Sequence, residues 1–125
     1  MSGWTEDDFT RVGAAEELQI TSRRRDGSLS SSRTIWVVPY GDELYVRSVN
    51  GPTAAWFRGT QVRHEGHIQA GGVDRDVAFA EADHVMDDQI DAAYRTKYHR
   101  YPKNITDSVT TSGARATTMR LLPRG

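Results

Sequence analysis

The arginines near the start of the chain are the first residues whose types and spacing suggest chemistry. Arg23, Arg24 and Arg25 follow one another beside an Asp-Gly-Ser turn sequence at 26–28, and Arg33 opens the next apolar run. A hairpin would bring these two ends together across a sheet. Guanidinium groups bind phosphate through paired hydrogen bonds, so the cluster indicates either an anion site or a solvated hairpin tip that discourages edge pairing.

A second group of polar and aromatic residues surrounds a helix predicted at 53–58. Arg47 alternates with Val46 and Ser48, so its side chain points either to water or into a polar cavity of a barrel. Trp56 is either a core anchor or a stacking surface for a ring. With Ser48 and Arg58, these residues around a helix start are the types that a phosphorylated aromatic cofactor needs.

An unexpected cation, Lys97, lies on the apolar face of a helix predicted at 88–101. Its alkyl stem either extends along neighbouring tyrosines to reach water, or its amine has a lowered pKa at the edge of a pocket. In the second case a neighbouring phenol could exchange protons with it. Lys97, Tyr94 and Tyr98 are therefore candidate catalytic residues.

Other kinds of site are not supported by the spacing of their residue types. His64 and His67 lie three apart in a predicted strand, so they would face opposite sides of a sheet, and no metal site is expected. The serines at 28–32 lie in a polar loop without a nucleophile elbow, which argues against a hydrolytic triad. Asp91 and Arg95, four residues apart, are predicted to form a surface ion pair.

The composition limits the class of protein. The chain has 125 residues, a net charge of −1 and no cysteine. We expect residues 1–125 to form a single domain in a reducing cytoplasm, without a signal peptide or membrane span. Nucleic acid is not an expected partner, because the charge is nearly balanced.

Hydrophobic periodicity predicts strands and helices in an α+β arrangement. A capping box starts a first helix at 6–14, and the apolar stripe predicts the helix at 88–101. Strands are predicted at 18–22, 33–38, 43–48, 64–70, 73–80 and 116–122, the first three as a meander. A polar loop rich in Thr and Ser is predicted before the last strand. Six strands would curl into a small barrel; the alternative is an open sheet with helices on one face.

Several segments resemble a known class of enzymes. The order LQITSRRRDGSLSSSRTIW, DELYVRSVNG and AAWFRG resembles the front half of the deazaflavin- and flavin-dependent split β-barrel reductases, the pyridoxamine phosphate oxidase-like proteins. The segments IDAAYRTKYHRYP and ARATTMRLLP look more specifically like the family called domain of unknown function 2255. Together these segments span nearly the whole chain.

The resemblance implies a fold and a set of site residues. The fold would be a six-stranded antiparallel split β-barrel with flanking helices. Arg23, Arg24 and Arg33 would bind the phosphate of a cofactor, Ser48 and Gly51 would contact its ring system and Trp56 would pack beside it. The chemistry of their side chains adds two neighbouring residues to this set, Arg47 and Arg58.

The resemblance also implies a function. The cofactor would be FMN or a deazaflavin, held between the subunits of a homodimer, and the protein would be an oxidoreductase acting on a small organic molecule. In the alternative, the cavity holds a small anionic or aromatic ligand without a cofactor, or supports a cofactor-free reaction of specialised metabolism. Tyr94, Lys97 and Tyr98 would then line the cavity.

Overall fold

A computed structural model of the chain describes residues 3–124. Five α-helices occur in this range: α1 (Glu6–Ala14), α2 (Ala55–Arg63), α3 (Asp87–Lys97), α4 (Lys103–Asp107) and α5 (Ser112–Arg115). The strands are β1 (Leu18–Ser22), β2 (Arg33–Ile35), β3 (Val38–Tyr40), β4 (Glu43–Val46), β5 (Glu65–Ala70), β6 (Val73–Glu81) and β7 (Met119–Pro123). Short 3₁₀ turns precede α2 at Gly51–Thr53 and α3 at His84–Met86.

The strands form one curled antiparallel sheet in the order β2-β1-β5-β6-β7-β4-β3. The sheet has seven strands rather than the six predicted, because the predicted strand at 33–38 divides between Ile35 and Val38. The predicted meander is also wrong. β2 pairs with β1 and β3 pairs with β4, but these two hairpins lie at opposite ends of the strand order.

The division of this strand creates a seam where the chain passes from one edge of the sheet to the other. Only Trp36 and Val37 separate the edge strands β2 and β3. The Val37 backbone N–H donates to the Tyr98 hydroxyl at 3.3 Å, and the Lys97 Nζ donates to the Val37 carbonyl at 2.6 Å. Side chains of α3 thus bond to the backbone of a buried residue at the seam.

Two apolar clusters hold the sheet and the helices together. The first fills the inside of the curl and includes Leu18, Ile20 and Ile68, the inward-facing residues of β1 and β5. The second lies between the sheet and α3 and includes Ile90 and Tyr94. The alternating burial along β1 is the reason that its sequence pattern predicted a strand with the correct bounds.

The helices follow local sequence signals with three differences. α2 spans Ala55–Arg63, so it begins two residues and ends five residues after the bounds predicted at 53–58. The Thr5 side chain accepts a hydrogen bond from the Asp8 N–H, so the predicted cap of α1 is confirmed. α3 ends at Lys97, four residues before the predicted end, and the chain continues as a turn. The Thr- and Ser-rich segment predicted as a loop contains the short helices α4 and α5.

Candidate functional site

The hairpin β1–β2 and the helix α2 enclose a cavity of about 310 Å³, which we name the arginine cavity. Its basic wall comes from the end of β1, the turn that follows it and the start of β2. Its other wall is the first part of α2. The residues that line it are Ser22, Arg23, Arg24, Arg25, Ser30, Ser31, Arg33, Ala55, Trp56, Gly59 and Val62.

The four arginines of this cavity divide into two pairs. Arg23 donates to the Gly27 carbonyl at 2.8 Å and Arg24 donates to the Leu29 carbonyl at 2.9 Å, so both side chains hold the hairpin turn. Within residues 3–124 the side chains of Arg25 and Arg33 have neither a hydrogen bond nor an ion pair. These two guanidinium groups are available to an anion.

The start of α2 adds backbone donors to the same wall. Its N-cap residue, Ala54, provides no side-chain hydrogen bond, and the first turn contains no acidic residue. Ala55 and Trp56, in that first turn, line the arginine cavity. The first N–H groups of a helix lack partners inside the helix and attract anions, so this wall complements the arginines.

A second cavity of about 390 Å³ adjoins the first and is mainly apolar; we name it the aromatic cavity. The two cavities share Arg33 and Trp56, which stand at their junction. Trp36 lies in the wall of the aromatic cavity and is stacked on Tyr98, with ring centroids 3.8 Å apart and planes 4° apart. The other lining residues are Thr34, Ile35, Arg47, Val49, Asn50, Ile105, Ser108 and Val109.

The structure brings four of the predicted cofactor-binding residues together in the arginine cavity, and Arg47 borders the adjoining aromatic cavity. Arg23, Arg24, Arg33 and Trp56 all line the arginine cavity. Arg58 is exposed on α2 and lines neither cavity. Its predicted contact with the cofactor stays a prediction.

Ser48 and Gly51 form a buried turn beneath the site. The Ser48 hydroxyl donates to the Gly51 carbonyl at 2.9 Å, and the Ser48 N–H donates to the Thr117 hydroxyl at 2.8 Å. Gly51 has φ +74°, a conformation that favours glycine. This turn requires a hydroxyl at position 48 and a glycine at position 51. The predicted contacts of Ser48 and Gly51 with the cofactor ring stay predictions.

Arg47 takes neither of its two expected orientations. Its side chain is fully buried, and Nη1 lies 2.5 Å from an Asp91 carboxylate oxygen. It also donates to the Val109 carbonyl at 2.8 Å and to the Thr118 hydroxyl at 2.9 Å. Arg47 borders the aromatic cavity, but a cofactor contact by its guanidinium would require breaking this network.

The predicted surface ion pair between Asp91 and Arg95 is wrong. Asp91 pairs with the buried Arg47 and with Arg115. Arg95 instead lies 2.9 Å from Asp107 on α4. The reason is that tertiary partners from three different segments compete successfully with the weak pairing of neighbours on one helix.

The candidate catalytic tyrosines are buried and line neither cavity. Within the described residues the Tyr94 hydroxyl has no hydrogen-bond partner, and the Arg47 guanidinium lies over its ring at 5.6 Å from the centroid. Tyr98 donates to the Glu16 carbonyl at 2.9 Å. Burial raises the pKa of both phenols, so both stay protonated at neutral pH.

Lys97 lies apart from both cavities, on the other side of the seam. Burial lowers its pKa from 10.5 to about 8, and the nearby Glu16 charge opposes this shift only in part. Its Nζ lies 5.0 Å from the centroid of the Tyr98 ring. A shared catalytic site of Lys97 with the arginines is therefore not formed, and its catalytic role stays a prediction.

The lowered pKa of Lys97 gives a pH-dependent stability. The unfolded chain binds this proton up to about pH 10.5 and the folded chain only up to about pH 8, so the Lys97 contribution to the free energy of unfolding rises between those pH values. Relative to Lys97→Met, we expect the free energy of unfolding of the wild type to rise by about 1 kcal/mol across this pH window. The value is small because water still screens part of the side chain. Denaturant unfolding of both proteins at pH 7 and pH 10 measures the difference between their free energies of unfolding. The same difference at both pH values would contradict the prediction.

The histidines contact carboxylates or backbone rather than a metal. His67 lies between Asp74 and Asp76 on the neighbouring strand, with Nδ1 2.8 Å from Asp76, and the two carboxylates raise its pKa against the opposing effect of burial. His64 lies outside β5, in a left-handed conformation that ends α2. Across residues 3–124, no group of three or more His, Cys, Asp or Glu side chains is arranged to hold a metal ion.

Sequence reasoning missed three residues of the site. Arg25 belongs to the arginine run but was not assigned a cofactor contact, although its side chain is one of the two that stay unpaired. Trp36 lies in the aromatic cavity only because the strand divides at the seam, and no local pattern indicates this. Ile105 reaches the cavity from α4, in a segment predicted as a loop.

The curled antiparallel sheet, its seam and its flanking helices define an α+β split-barrel protein. Within that class the chain belongs to DUF2255, a family described as "Uncharacterized protein conserved in bacteria", which matches residues 8–121. The suspected family resemblance is therefore confirmed. No curated protein matches the chain.

Solved structures share the fold at low sequence identity. The heme storage protein HutZ from Vibrio cholerae has a TM-score of 0.67 and 14% identity, covering 93% of this chain and 87% of that one. An F420 reductase has a TM-score of 0.61 and 11% identity, with coverages of 98% and 97%. An FAD-binding protein from Mesorhizobium loti has a TM-score of 0.57 and 16% identity, with coverages of 98% and 91%.

The similarity to these structures confirms the split-barrel fold predicted from sequence, apart from the number of strands. Their names describe a heme storage protein, an F420 reductase and an FAD-binding protein, and at this identity the similarity shows the fold. None of the helices described between residues 3 and 124 is long and apolar enough to cross a membrane.

Proposed function

We propose that the arginine cavity and the aromatic cavity form one site for a phosphorylated flavin or deazaflavin, and that the protein is an oxidoreductase acting on a small organic molecule. The observation that carries this proposal is the junction: Arg33 and Trp56 belong to both cavities. A single ligand with an anionic tail and a planar ring can therefore occupy both at once. This combination of groups is what a flavin phosphate presents.

The anionic tail would lie against the unpaired guanidinium groups of Arg25 and Arg33 and the first N–H groups of α2. The guanidinium groups of Arg25 and Arg33 have no partner in the described residues, so both are available to the phosphate. Hydrogen bonds between a charged donor and a charged acceptor are the strongest ones. Arg23 and Arg24 would keep the hairpin turn in place through their bonds to Gly27 and Leu29. They would contribute positive charge as well.

The ring would lie in the aromatic cavity between Trp56 and the apolar wall that includes Trp36. The lining of this cavity contains neither a carboxylate nor an imidazole, so the chain's own contribution is to bind, orient and exclude water. When bound, the cofactor would supply hydride transfer.

The solved structures support a flat ligand of this kind, and the lining distinguishes between the candidates. One relative binds FAD and one is an F420 reductase, while another stores heme. Heme iron requires an axial His, Cys, Met or Tyr. The residues that line the two cavities include none of these four types, which favours the flavin or deazaflavin.

We also propose that a second copy of the chain covers the aromatic cavity. Val49 and Ile105, two of its lining residues, are 51% and 40% exposed. A ring bound against one chain would stay partly in water, whereas a homodimer would enclose it. The same apolar side chains would then be buried between subunits.

Replacing Arg33 with glutamine should weaken the binding of FMN or the deazaflavin cofactor about tenfold or more. The variant loses a charge-assisted hydrogen bond at the junction of the two cavities, which is worth about 1.5–3 kcal/mol. Arg25→Gln should act similarly. Quenching of cofactor fluorescence during a titration measures the affinity, and sedimentation of the same samples reports whether the chain is a dimer.

The matched control is Arg95→Gln, an exposed arginine on α3 that lines neither cavity. It should bind the cofactor like the wild type. If the wild type binds neither cofactor at high micromolar concentration, the oxidoreductase proposal fails. Binding of inorganic pyrophosphate alone, reduced by Arg33→Gln, would then indicate the cofactor-free alternative, a site for small anionic ligands.

A further inference from the structure

A third cavity lies on the other side of the seam, between α1, β3 and α3. This α1–α3 groove has a volume of about 440 Å³ and is lined by Gly13, Pro39, Tyr40, Gln89, Ala92, Ala93, Thr96 and Lys97. Most of these residues are small or apolar. Lys97 is the one lining residue with a side chain that can carry a charge near neutral pH, so the lining is otherwise uncharged.

The Lys97 amine lacks a carboxylate partner within residues 3–124. Its hydrogen bond goes to a neutral acceptor, the Val37 carbonyl. The nearby Glu16 carboxylate is bonded instead to Arg100 and Tyr101. A half-buried ammonium group without a counter-ion is costly, so the contacts favour the neutral amine.

The other lysine of the chain is in the opposite situation. Lys103 has a side chain that is 82% exposed, and its Nζ lies 2.8 Å from an Asp107 carboxylate oxygen. The chain contains only these two lysines, and they therefore provide a natural comparison between an amine without a counter-ion and an amine with one.

We propose that Lys97 is a covalent ligand site, where its amine captures a small uncharged apolar aldehyde in the α1–α3 groove as an imine. The uncharged lining selects against charged compounds, because their desolvation would not be compensated. This inference is independent of the proposed cofactor, which would lie across the seam.

The reaction is a simple condensation. The lone pair of the neutral Nζ attacks the carbonyl carbon, forming a carbon–nitrogen bond, and the carbonyl oxygen takes up a proton. Loss of the second nitrogen proton with the hydroxyl group then releases water and leaves the carbon–nitrogen double bond. No oxidant or reductant takes part. The lowered pKa of Lys97, about 8, makes the attacking form more abundant at neutral pH than it is for an exposed lysine.

The test is trapping of the imine with propanal and cyanoborohydride at pH 7, followed by peptide mass spectrometry. We expect Lys97 to be alkylated at least about ten times faster than Lys103, because lowering the pKa of Lys97 from 10.5 to about 8 increases its neutral fraction at pH 7 by more than tenfold. Lys97→Arg should retain the fold and remove this fast-reacting site. Equal rates at the two lysines would overturn the proposal.

A groove-filling variant separates binding in the groove from simple amine reactivity. Ala92 is exposed on α3 and lines the groove, so Ala92→Leu occupies part of its volume without disturbing the core. We expect propanal capture at Lys97 to fall several-fold in this variant, while trapping of formaldehyde, which is smaller, stays unchanged. Propanal capture at the wild-type rate would show that the groove does not bind the aldehyde and would overturn the proposed site.

Discussion

Asp91→Ala should lower the free energy of unfolding by about 3 kcal/mol, because it leaves a buried guanidinium without its carboxylate. Arg47 is fully buried, whereas the Asp91 side chain is 13% exposed. The Asp87 carboxylate would remain 3.8 Å from Nη2, beyond hydrogen-bond distance, and the hydrogen-bond acceptors that remain for Arg47 include the Val109 carbonyl and the Thr118 hydroxyl, which are neutral. Neutral acceptors compensate a buried charge only in part, so the cost is close to that of breaking a buried ion pair.

Denaturant unfolding of Asp91→Ala and of two further variants tests this explanation. Asp107→Ala removes a carboxylate from an exposed ion pair with Arg95 and should cost less than about 1 kcal/mol. The double variant Arg47→Met with Asp91→Leu removes both charges and should recover at least half of the lost stability. A double variant that is less stable than Asp91→Ala would show that the network contributes through its hydrogen bonds rather than through charge pairing.

Gly66→Ala should lower the free energy of unfolding by at least about 3 kcal/mol or prevent folding. A Cβ atom at this position would lie 2.0 Å from the Thr21 carbonyl oxygen and 2.8 Å from the Phe79 ring. Gly66 pairs with Ser22 of β1 and Val77 of β6. Because backbone atoms of a paired strand cannot move away independently, the overlap must distort the sheet.

Gly113→Ala is the matched control for this substitution. Its Cβ would meet only the Gly51 Cα, at 3.8 Å, which is ordinary contact, and it lies in α5. We expect its free energy of unfolding to stay within about 1 kcal/mol of the wild type, since alanine favours helices. Thermal melting and the yield of folded protein measure the stability of both variants. Similar melting temperatures for Gly66→Ala and the wild type would contradict the predicted overlap.

Local patterns predicted the regular elements well, but they could not predict the seam. The bounds of α1 and β1 are as expected, because a side-chain cap and a two-residue alternation are properties of the local sequence. The run at 33–38 is continuously β-branched and aromatic, so it resembles one strand. It divides because the sheet curls and its two edges meet there, and that depends on contacts with α3.

The candidate site was predictable to the extent that its residues are neighbours in sequence. Arg23, Arg24 and Arg33 lie on one hairpin, so pairing of its strands was enough to place them together. Arg47 could not be placed in this way. Its partner Asp91 is 44 residues away in the sequence, and a two-residue alternation describes only the direction of a side chain, not the charge that it meets.

The two-residue connection between β2 and β3 also affects the order in which the strands fold. The strands that must meet to close the curl are already adjacent along the chain, so their approach costs little loop-closure entropy. The hairpins β1–β2 and β3–β4 can therefore form early with their free edges side by side. The pairing of β4 with β7 joins residues more than 70 positions apart, and this late, long-range step should set the folding rate.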